Sequence, residues 1–376
     1  MKKTTLFLLL LLVLSCHPKQ TASVGEHPQD EAGAKEAIKF TPPKNIILMI
    51  GDGMGITQIT AGMYLNGNQL NLEQFKYIGL HKSYSSDNQV TDSAAGATAF
   101  SIGQKTYNGA IGVDKKGRLA HTILEEAENG GWASGLVVTS SITHATPASF
   151  YAHQKKREMT EEIATDLLNV DIDFFVGGGK KNFDRRKDGQ NLIETLRQKG
   201  YAISTFLDQD FKDVIIDPNK KFGYFAADEE PLSNAQGRDY LVAACRSAME
   251  FLSKKSDKGF FLMIESAQIE WGGHANDSKY VTSEMIEFDQ AIGAVLDFAK
   301  LDGETLIIVT ADHEAGGYAI NATSTMDTIV AAFTTDKHTA SLIPVFAWGP
   351  GEELFGGIYQ NTSIYDKMRM ALGLNK

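Results

Sequence analysis

The stretch "NIILMIGDGMG" at residues 45–55 opens with a short apolar run that ends in glycine, and Asp52 follows it directly. An apolar run without polar alternation is typical of a strand buried on both faces of a parallel sheet. Comparable runs recur downstream, with helical apolar patterns between them at 119–130, 161–169 and 280–300; the runs are at residues 133–140, 171–179, 259–266, 305–313 and 343–349. This alternation predicts an α/β fold with a central, mostly parallel β-sheet and helices on both faces.

Composition and charge narrow the class of protein. The chain has 376 residues, of which 43% are hydrophobic, and a formal net charge of −11. Its length suits one large domain or two small ones, and we expect a single catalytic domain over residues 41–376. The negative charge argues against nucleic acid as a specific partner. It does not exclude a phosphate site, because bound metal ions can reverse the local field.

The first residues read as an export signal. In "MKKTTLFLLLLLVLSC" two lysines precede an apolar core that is too short to span a bilayer, which predicts a signal peptide over residues 1–15. The Ser-Cys ending resembles a bacterial lipobox and predicts a lipid on Cys16; ordinary cleavage elsewhere is the alternative. Residues 16–40 are polar and predict a flexible tether. We therefore expect an exported protein, periplasmic or anchored to the outer membrane, that meets a membrane only through its lipid.

Cysteine usage fits this expectation. Cys245 is the only cysteine besides Cys16, so a lipidated Cys16 leaves no partner for an intrachain disulfide. Cys245 lies in the amphipathic stretch "YLVAACRSAMEFL", where a small buried apolar side chain is expected.

Polar side chains follow several of the predicted strands, at the point where each strand ends. They are Asp52, Thr143, His144, Thr146, Glu265, Asp312 and His313. In open α/β sheets, ligands bind beyond the carboxyl ends of the strands. The sequence therefore predicts a binding site at this edge of the sheet.

Further residues suit a metal site, although each has an ordinary alternative. Glu270 and His274 are four residues apart and would share one face of a helix, as zinc ligands or as a surface pair. His338 is either a ligand or an exposed loop histidine, and Asp52 by itself could cap a helix or form a turn. Several such residues at matching strand ends favour metal binding.

The stretch "QVTDSAAGATAFSIG" at residues 89–103 places Ser93 at a predicted helix start that favours an anion. The small residues after it would leave room for metals and a phosphate beside the backbone. A serine needs a base or a metal to become nucleophilic, and no histidine lies close in sequence. The glycine frame of a nucleophile elbow is also missing. Metal activation of Ser93 is thus favoured over a helix-capping role.

These segments resemble the alkaline phosphatase family. "VTDSAAGATAF" is similar to the nucleophile motif of that family, and the resemblance continues in order through "MIGDGMG", "ITHATPASFYAH", "IESAQIEWGGHAND", "TADHEAGG" and "KHTASLIPVFAWGPG". It extends from about Lys44 to the C-terminus and matches the short bacterial members without large insertions. It implies a broadly specific phosphate monoester hydrolase that uses two Zn²⁺ and one Mg²⁺, forms a phosphoserine and releases inorganic phosphate. It is also compatible with a homodimer.

Carried over by position, the resemblance implies a nucleophile, three metal sites and a phosphate grip. The implied roles are Ser93 as nucleophile; Asp52, Asp312, His313 and Ser93 at one zinc; Glu270, His274 and His338 at the other; Asp52, Thr146 and Glu265, with His144 close by, at the magnesium; and Arg157 on the phosphate, with Asp92 orienting it and Trp271 lining the pocket.

The chain departs from the family pattern at a few of these positions. Glu270 stands where aspartate is usual, so the zinc there would shift or bind more weakly. His144 and Trp271 differ from the enteric aspartate and lysine, which leaves the identity of the third metal open. Arg157, next to two lysines, could instead be a solvated helical residue. A phosphodiesterase of the same superfamily and a lipid-anchored protein that binds phosphate and metal without turnover remain as alternatives.

Overall fold

The structure, a computed structural model, describes residues 40–325 and 328–374. The predicted signal peptide, Cys16 and the tether as far as residue 39 lie outside these residues. Within the described ranges, no helix combines the length and the apolar character needed to cross a membrane.

Strands and helices alternate along much of the described chain. The strands are β1 Asn45–Gly51, β2 Tyr77–Lys82, β3 Ala133–Ser141, β4 Phe174–Gly178, β5 Tyr201–Thr205, β6 Lys221–Phe225, β7 Phe260–Ser266, β8 Thr305–Thr310, β9 Glu314–Ala315, β10 Tyr318–Ile320, β11 Ala331–Phe333, β12 His338–Thr339, β13 Leu342–Trp348 and β14 Gly357–Gln360. The α-helices are α1 Ile56–Leu65, α2 Ser93–Ile102, α3 Ile123–Asn129, α4 Ala145–Ala148, α5 Thr160–Asp166, α6 Lys181–Asp184, α7 Leu192–Gln198, α8 Leu241–Leu252, α9 Gln268–His274, α10 Ser278–Asp302 and α11 Thr362–Ala371. Short 3₁₀ turns occupy Asn71–Gln74, Leu167–Asn169, Phe211–Asp213, Asn234–Gln236 and Glu352–Phe355.

A ten-stranded sheet forms the centre, in the order β14-β2-β13-β8-β1-β7-β3-β4-β6-β5. β13 runs antiparallel to both of its neighbours, whereas the other pairings in this sheet are parallel. The small ladders β10–β11 and β12–β9 lie outside it. The mostly parallel sheet predicted from the sequence is confirmed.

Each face of the sheet is covered by helices. Along β1 the side chains alternate: Ile46, Leu48 and Ile50 belong to one hydrophobic core, and Ile47 and Met49 belong to the other. Helices α2, α3, α5, α7 and α11 contribute to the first core, and α8, α9 and α10 contribute to the second. Because β1 is covered by helices on both faces, the side chains on both of its sides are apolar. Its sequence is therefore a continuous apolar run.

Cys245 belongs to the second of these cores. It lies in α8 and is fully buried, as expected for a small apolar side chain.

Some predicted boundaries are wrong by a few residues. The helix predicted over 119–130 begins only at Ile123, because Thr122 caps it: the Thr122 hydroxyl accepts from Glu125 N at 3.1 Å, and Glu125 Oε2 accepts from Thr122 N at 2.8 Å. The strand predicted over 305–313 stops at Thr310. Asp312 and His313 therefore lie in the following loop, where their side chains are free to turn towards the edge of the sheet.

Candidate metal centre

Four adjacent strands at the centre of the sheet, β8, β1, β7 and β3, are parallel, so their carboxyl ends meet. Asp52 directly follows β1, Glu265 is the penultimate residue of β7, and Asp312 and His313 come just after β8. All of these side chains are fully buried. The structure thus brings the predicted residues together at the predicted edge.

One group of ligand atoms consists of Glu270, His274 and His338. Helix α9 places Glu270 and His274 on one face, with Glu270 Oε1 3.3 Å from His274 Nε2 and 2.9 Å from His338 Nε2. The Nδ1 atoms of His274 and His338 donate to the carbonyls of Asp336 (2.7 Å) and Thr91 (2.9 Å). These bonds fix the orientation of each ring with Nε2 towards the group, and a bound metal ion would take the Nε2 lone pairs.

A second group surrounds His313. Its Nε2 lies 3.4 Å from Asp52 Oδ1, 3.3 Å from Asp312 Oδ2 and 3.6 Å from Glu270 Oε1. The His313 ring also stacks on His338, with ring centres 3.6 Å apart. Glu270, which the resemblance assigned only to the other zinc, therefore lies between the two groups.

A third group also includes Asp52. Asp52, His144 and Glu265 offer ligand atoms within 4.8 Å of one another. Glu265 Oε2 accepts from Ser140 Oγ at 2.9 Å, and the Thr146 hydroxyl, buried at the start of the short helix α4, lies beside Glu265. The set predicted for the third metal is thus assembled, and it includes His144.

Several carboxylate oxygens of this centre lack the hydrogen-bond partners that burial requires. Both oxygens of Asp52 and Oδ2 of Asp312 are buried and receive no hydrogen bond from the described residues. Burial raises the pKa of Asp52 well above its usual range, that of Asp312 to about 7 and that of Glu265 to about 8, and neighbouring carboxylates add to each shift. Burial also acts on Glu270, but hydrogen bonds from His274 and His338 outweigh it and hold its pKa well below its usual range.

This donor set fits divalent metal ions. Buried carboxylates crowded together are costly unless cations compensate them, and unpartnered oxygens at one point are natural ligands. Groups that combine imidazole nitrogens with carboxylate oxygens suit zinc, and the oxygen-rich group around Glu265 suits a harder ion.

Ser93 begins helix α2 and points into this centre. Asp92 caps the helix by accepting from Ala95 N at 2.9 Å. Ser93 Oγ lies 3.3 Å from Glu270 Oε1 and 3.4 Å from His313 Nε2. The small residues after Ser93 allow another segment to pack closely against α2. At Gly96 this neighbour is the segment that carries Asp312: a Cβ at Gly96 would lie 2.9 Å from Cβ of Asp312.

Arg157 contacts both Asp92 and His144 of this site. It lies in a turn before α5, not in a helix, with Nη1 3.2 Å from Asp92 Oδ2 and Nη2 3.3 Å from His144 Nε2. Asp92 Oδ2 also accepts from Gly109 N at 2.9 Å, which fixes the carboxylate that orients the guanidinium. The Trp271 ring packs edge-to-face against the His144 ring, with centres 6.2 Å apart. Every residue singled out for the site is therefore in or beside it.

Sequence reasoning missed two contributions to the centre. The carbonyls of Thr91 and Asp336 orient histidines, and no residue type signals a backbone contact of this kind. Glu314 was also overlooked, although it directly follows His313 in "TADHEAGG". It is buried and accepts hydrogen bonds from Gln58 and from neighbouring backbone groups.

Comparison with known proteins agrees with this geometry. A family model described as alkaline phosphatase matches residues 43–332. Alkaline phosphatase 3 of Bacillus subtilis (strain 168) is 34% identical, with 100% of this chain and 99% of that protein covered. The alkaline phosphatase of the Antarctic bacterium TAB5 superimposes with a TM-score of 0.85 at 46% identity, covering 90% of this chain and 100% of that one. A variant of the TAB5 enzyme with one histidine changed to aspartate, at the same identity, coverage and TM-score, has magnesium bound in its M3 site. The chain belongs to the alkaline phosphatase family and is a phosphoric monoester hydrolase.

Proposed function

We propose that the chain hydrolyses a broad range of phosphate monoesters through a phosphoserine at Ser93. The observation that carries this proposal is the position of the Ser93 hydroxyl, 3.3 Å from Glu270 Oε1 and 3.4 Å from His313 Nε2, where two ligand groups meet. Family membership supports the reaction class.

We propose three resident metal ions at this centre. One zinc ion would be held by Asp52, Asp312, His313 and Ser93, and the other by Glu270, His274 and His338. A magnesium ion would be held by Asp52, Thr146, Glu265 and His144. When bound, the zinc ions would supply Lewis-acid stabilisation of charge on the attacking and leaving oxygens. Magnesium in the M3 site of the TAB5 variant supports the choice of the third ion.

The side chains of the chain would then position the substrate. Arg157, whose guanidinium is held by Asp92, would donate two hydrogen bonds to non-bridging phosphate oxygens. Ser93 Oγ would attack phosphorus as the bond to the leaving oxygen breaks, and hydrolysis of the phosphoserine would release inorganic phosphate. Trp271 packs against His144 and would line the pocket. Because these contacts reach only the phosphoryl group, monoesters with different leaving groups would be accepted.

We also propose that the protein is exported and carries a lipid on Cys16. Support comes from the apolar leader, the Ser-Cys junction and the polar segment behind it. Metabolic labelling with a radioactive fatty acid, compared between the natural chain and a Cys16→Ser variant, tests the anchor. Light scattering of the purified protein tests the homodimer.

Parallel assays of a monoester and a diester test the proposed activity. The full chain is purified, its metal content is measured, and turnover of nitrophenyl phosphate is compared with that of bis-nitrophenyl phosphate. We expect the monoester to be preferred, activity to disappear with a chelator, and zinc to restore it better than calcium. Diester preference would make the chain a phosphodiesterase, and phosphate binding without turnover would make it a binding protein.

A further inference from the structure

Glu314 is a buried carboxylate beside the metal centre that the proposed chemistry does not use. It directly follows His313, is 6% exposed and has no ion-pair partner among the described residues. Its oxygens accept four hydrogen bonds: Oε1 from Gln58 Nε2 at 2.6 Å and Tyr318 N at 3.0 Å, and Oε2 from Gly317 N at 3.2 Å and the Thr339 hydroxyl. With each oxygen accepting twice, the carboxylate has little capacity left for a metal ion.

The donors to Glu314 come from segments that carry metal-site residues. Thr339 directly follows His338, and strands β9 and β12 pair so that Glu314 faces Thr339 and Ala315 faces His338. Gln58 lies in the first turns of α1, shortly after Asp52, and also donates to the carbonyl of Ala315 at 2.9 Å. A single side chain thus joins the chain segments that present Asp52, His313 and His338.

We propose that Glu314 is a positioning residue that fixes the spacing of the two zinc groups. This inference rests on the proposed function, because it assumes that zinc binds there. The ring stack of His313 on His338, with centres 3.6 Å apart, is the element that Glu314 holds in place. Replacing a residue that orients metal ligands without binding the metal itself typically lowers metal affinity by about 10- to 100-fold.

The test is Glu314→Gln, which keeps the shape of the side chain but replaces one acceptor oxygen with a donor. The new amide NH₂ would then face at least one of the groups that donate to Glu314. This repulsion would separate the segments that carry His313 and His338. We expect zinc affinity, measured by competition with a chelator, to fall about 10- to 100-fold. We also expect the visible spectrum of the Co²⁺-loaded chain to change, since it reports ligand geometry. Thr339→Val, which removes one donor, should shift both readouts less and in the same direction.

Asp289→Asn is the matched control. Asp289 is a buried carboxylate in α10 that accepts from Asn71 N (2.9 Å), Asn71 Nδ2 (3.1 Å) and Leu72 N (3.1 Å), but it contacts no ligand segment. This variant should lower Tm and leave zinc affinity and the Co²⁺ spectrum unchanged.

Two results would overturn the inference: wild-type zinc affinity and spectrum in Glu314→Gln, or equal losses of zinc affinity in Glu314→Gln and Asp289→Asn. A natural chain that binds no zinc would instead overturn the proposed function, and the inference with it.

Discussion

At the scale of single residues, the decisive side chain is Ser93. Ser93→Ala removes the proposed attacking oxygen but leaves Arg157 and the ligand groups in place, so phosphate should still bind. We expect kcat for a nitrophenyl monoester to fall by at least about 10³-fold, with phosphate affinity by calorimetry near that of the natural chain. Turnover close to normal would remove Ser93 from the reaction.

A second serine in the same helix provides the control for that measurement. Ser101 is also fully buried in α2, where its hydroxyl donates to the Thr98 carbonyl at 3.2 Å, far from the ligand atoms. Ser101→Ala should keep kcat within about twofold of that of the natural chain, because the variant loses only this one hydrogen bond. Equal losses in the two variants would point to damage of α2 rather than to loss of a nucleophile.

Residue types alone identified much of the site but not its internal geometry. Aspartates and histidines at strand ends are visible in the sequence because parallel strands bring their carboxyl ends together. The position of Glu270 between two groups could not be predicted, since it depends on how α9 packs against the loop that carries His313. The role of Glu314 was hidden because its partners Gln58 and Thr339 are distant in sequence.

At the scale of elements, the start of α2 would link helix capping to the proposed phosphate binding, because Asp92 both caps the helix and contacts Arg157. Asp92→Asn keeps an oxygen for Ala95 N, but its amide would face Gly109 N and Arg157 Nη1, both of which are donors. We expect helix stability to change little and Arg157 to lose its fixed orientation. KM for a monoester and the Kd for phosphate should each rise about tenfold, which corresponds to about 1.4 kcal/mol.

An aspartate in a neighbouring loop tests whether that effect is specific. Asp114 accepts from Lys116 N at 2.8 Å and from Arg118 Nε at 2.7 Å, and so forms the same kind of carboxylate-centred turn. Asp114→Asn should leave KM and phosphate affinity unchanged. If Asp92→Asn behaves in the same way, Arg157 does not depend on Asp92.

Elements were predicted best where burial alone determines them. β1, β3 and β7 are buried along their whole length and were found within a residue or so of their true ends. α10 was predicted as 280–300 and is Ser278–Asp302. Strands towards the two ends of the sheet were missed. β2 mixes exposed and buried residues, β14 has exposed and half-buried residues only, and β5 is only partly buried, so none of them carries a continuous buried apolar run. β9 and β12 are too short for any periodicity to be read.

At the scale of the whole molecule, buried carboxylates couple metal binding to stability and pH. In the metal-free chain the raised pKa values of Asp312, about 7, and Glu265, about 8, mean that the folded state holds protons that the unfolded state has released. Their contribution to stability is complete below the unfolded pKa near 4 and is lost as pH rises through 7 and 8. The proposed zinc and magnesium ions would replace these protons, so the stabilisation gained from metal binding should grow over the same range.

The measurement is the difference in Tm between the metal-loaded and the chelator-treated chain at pH 6.5 and at pH 9. We expect this difference to increase by about 5–10 °C, because two carboxylates become charged and need a cation. Lys105, whose pKa burial lowers to about 7, titrates in the same window, but it lies outside the ligand groups and cancels in the difference. Glu265→Gln removes one of the buried carboxylates whose pKa is raised, and it should therefore reduce the increase. A difference that is the same at both pH values would show that these carboxylates do not hold protons in the metal-free state.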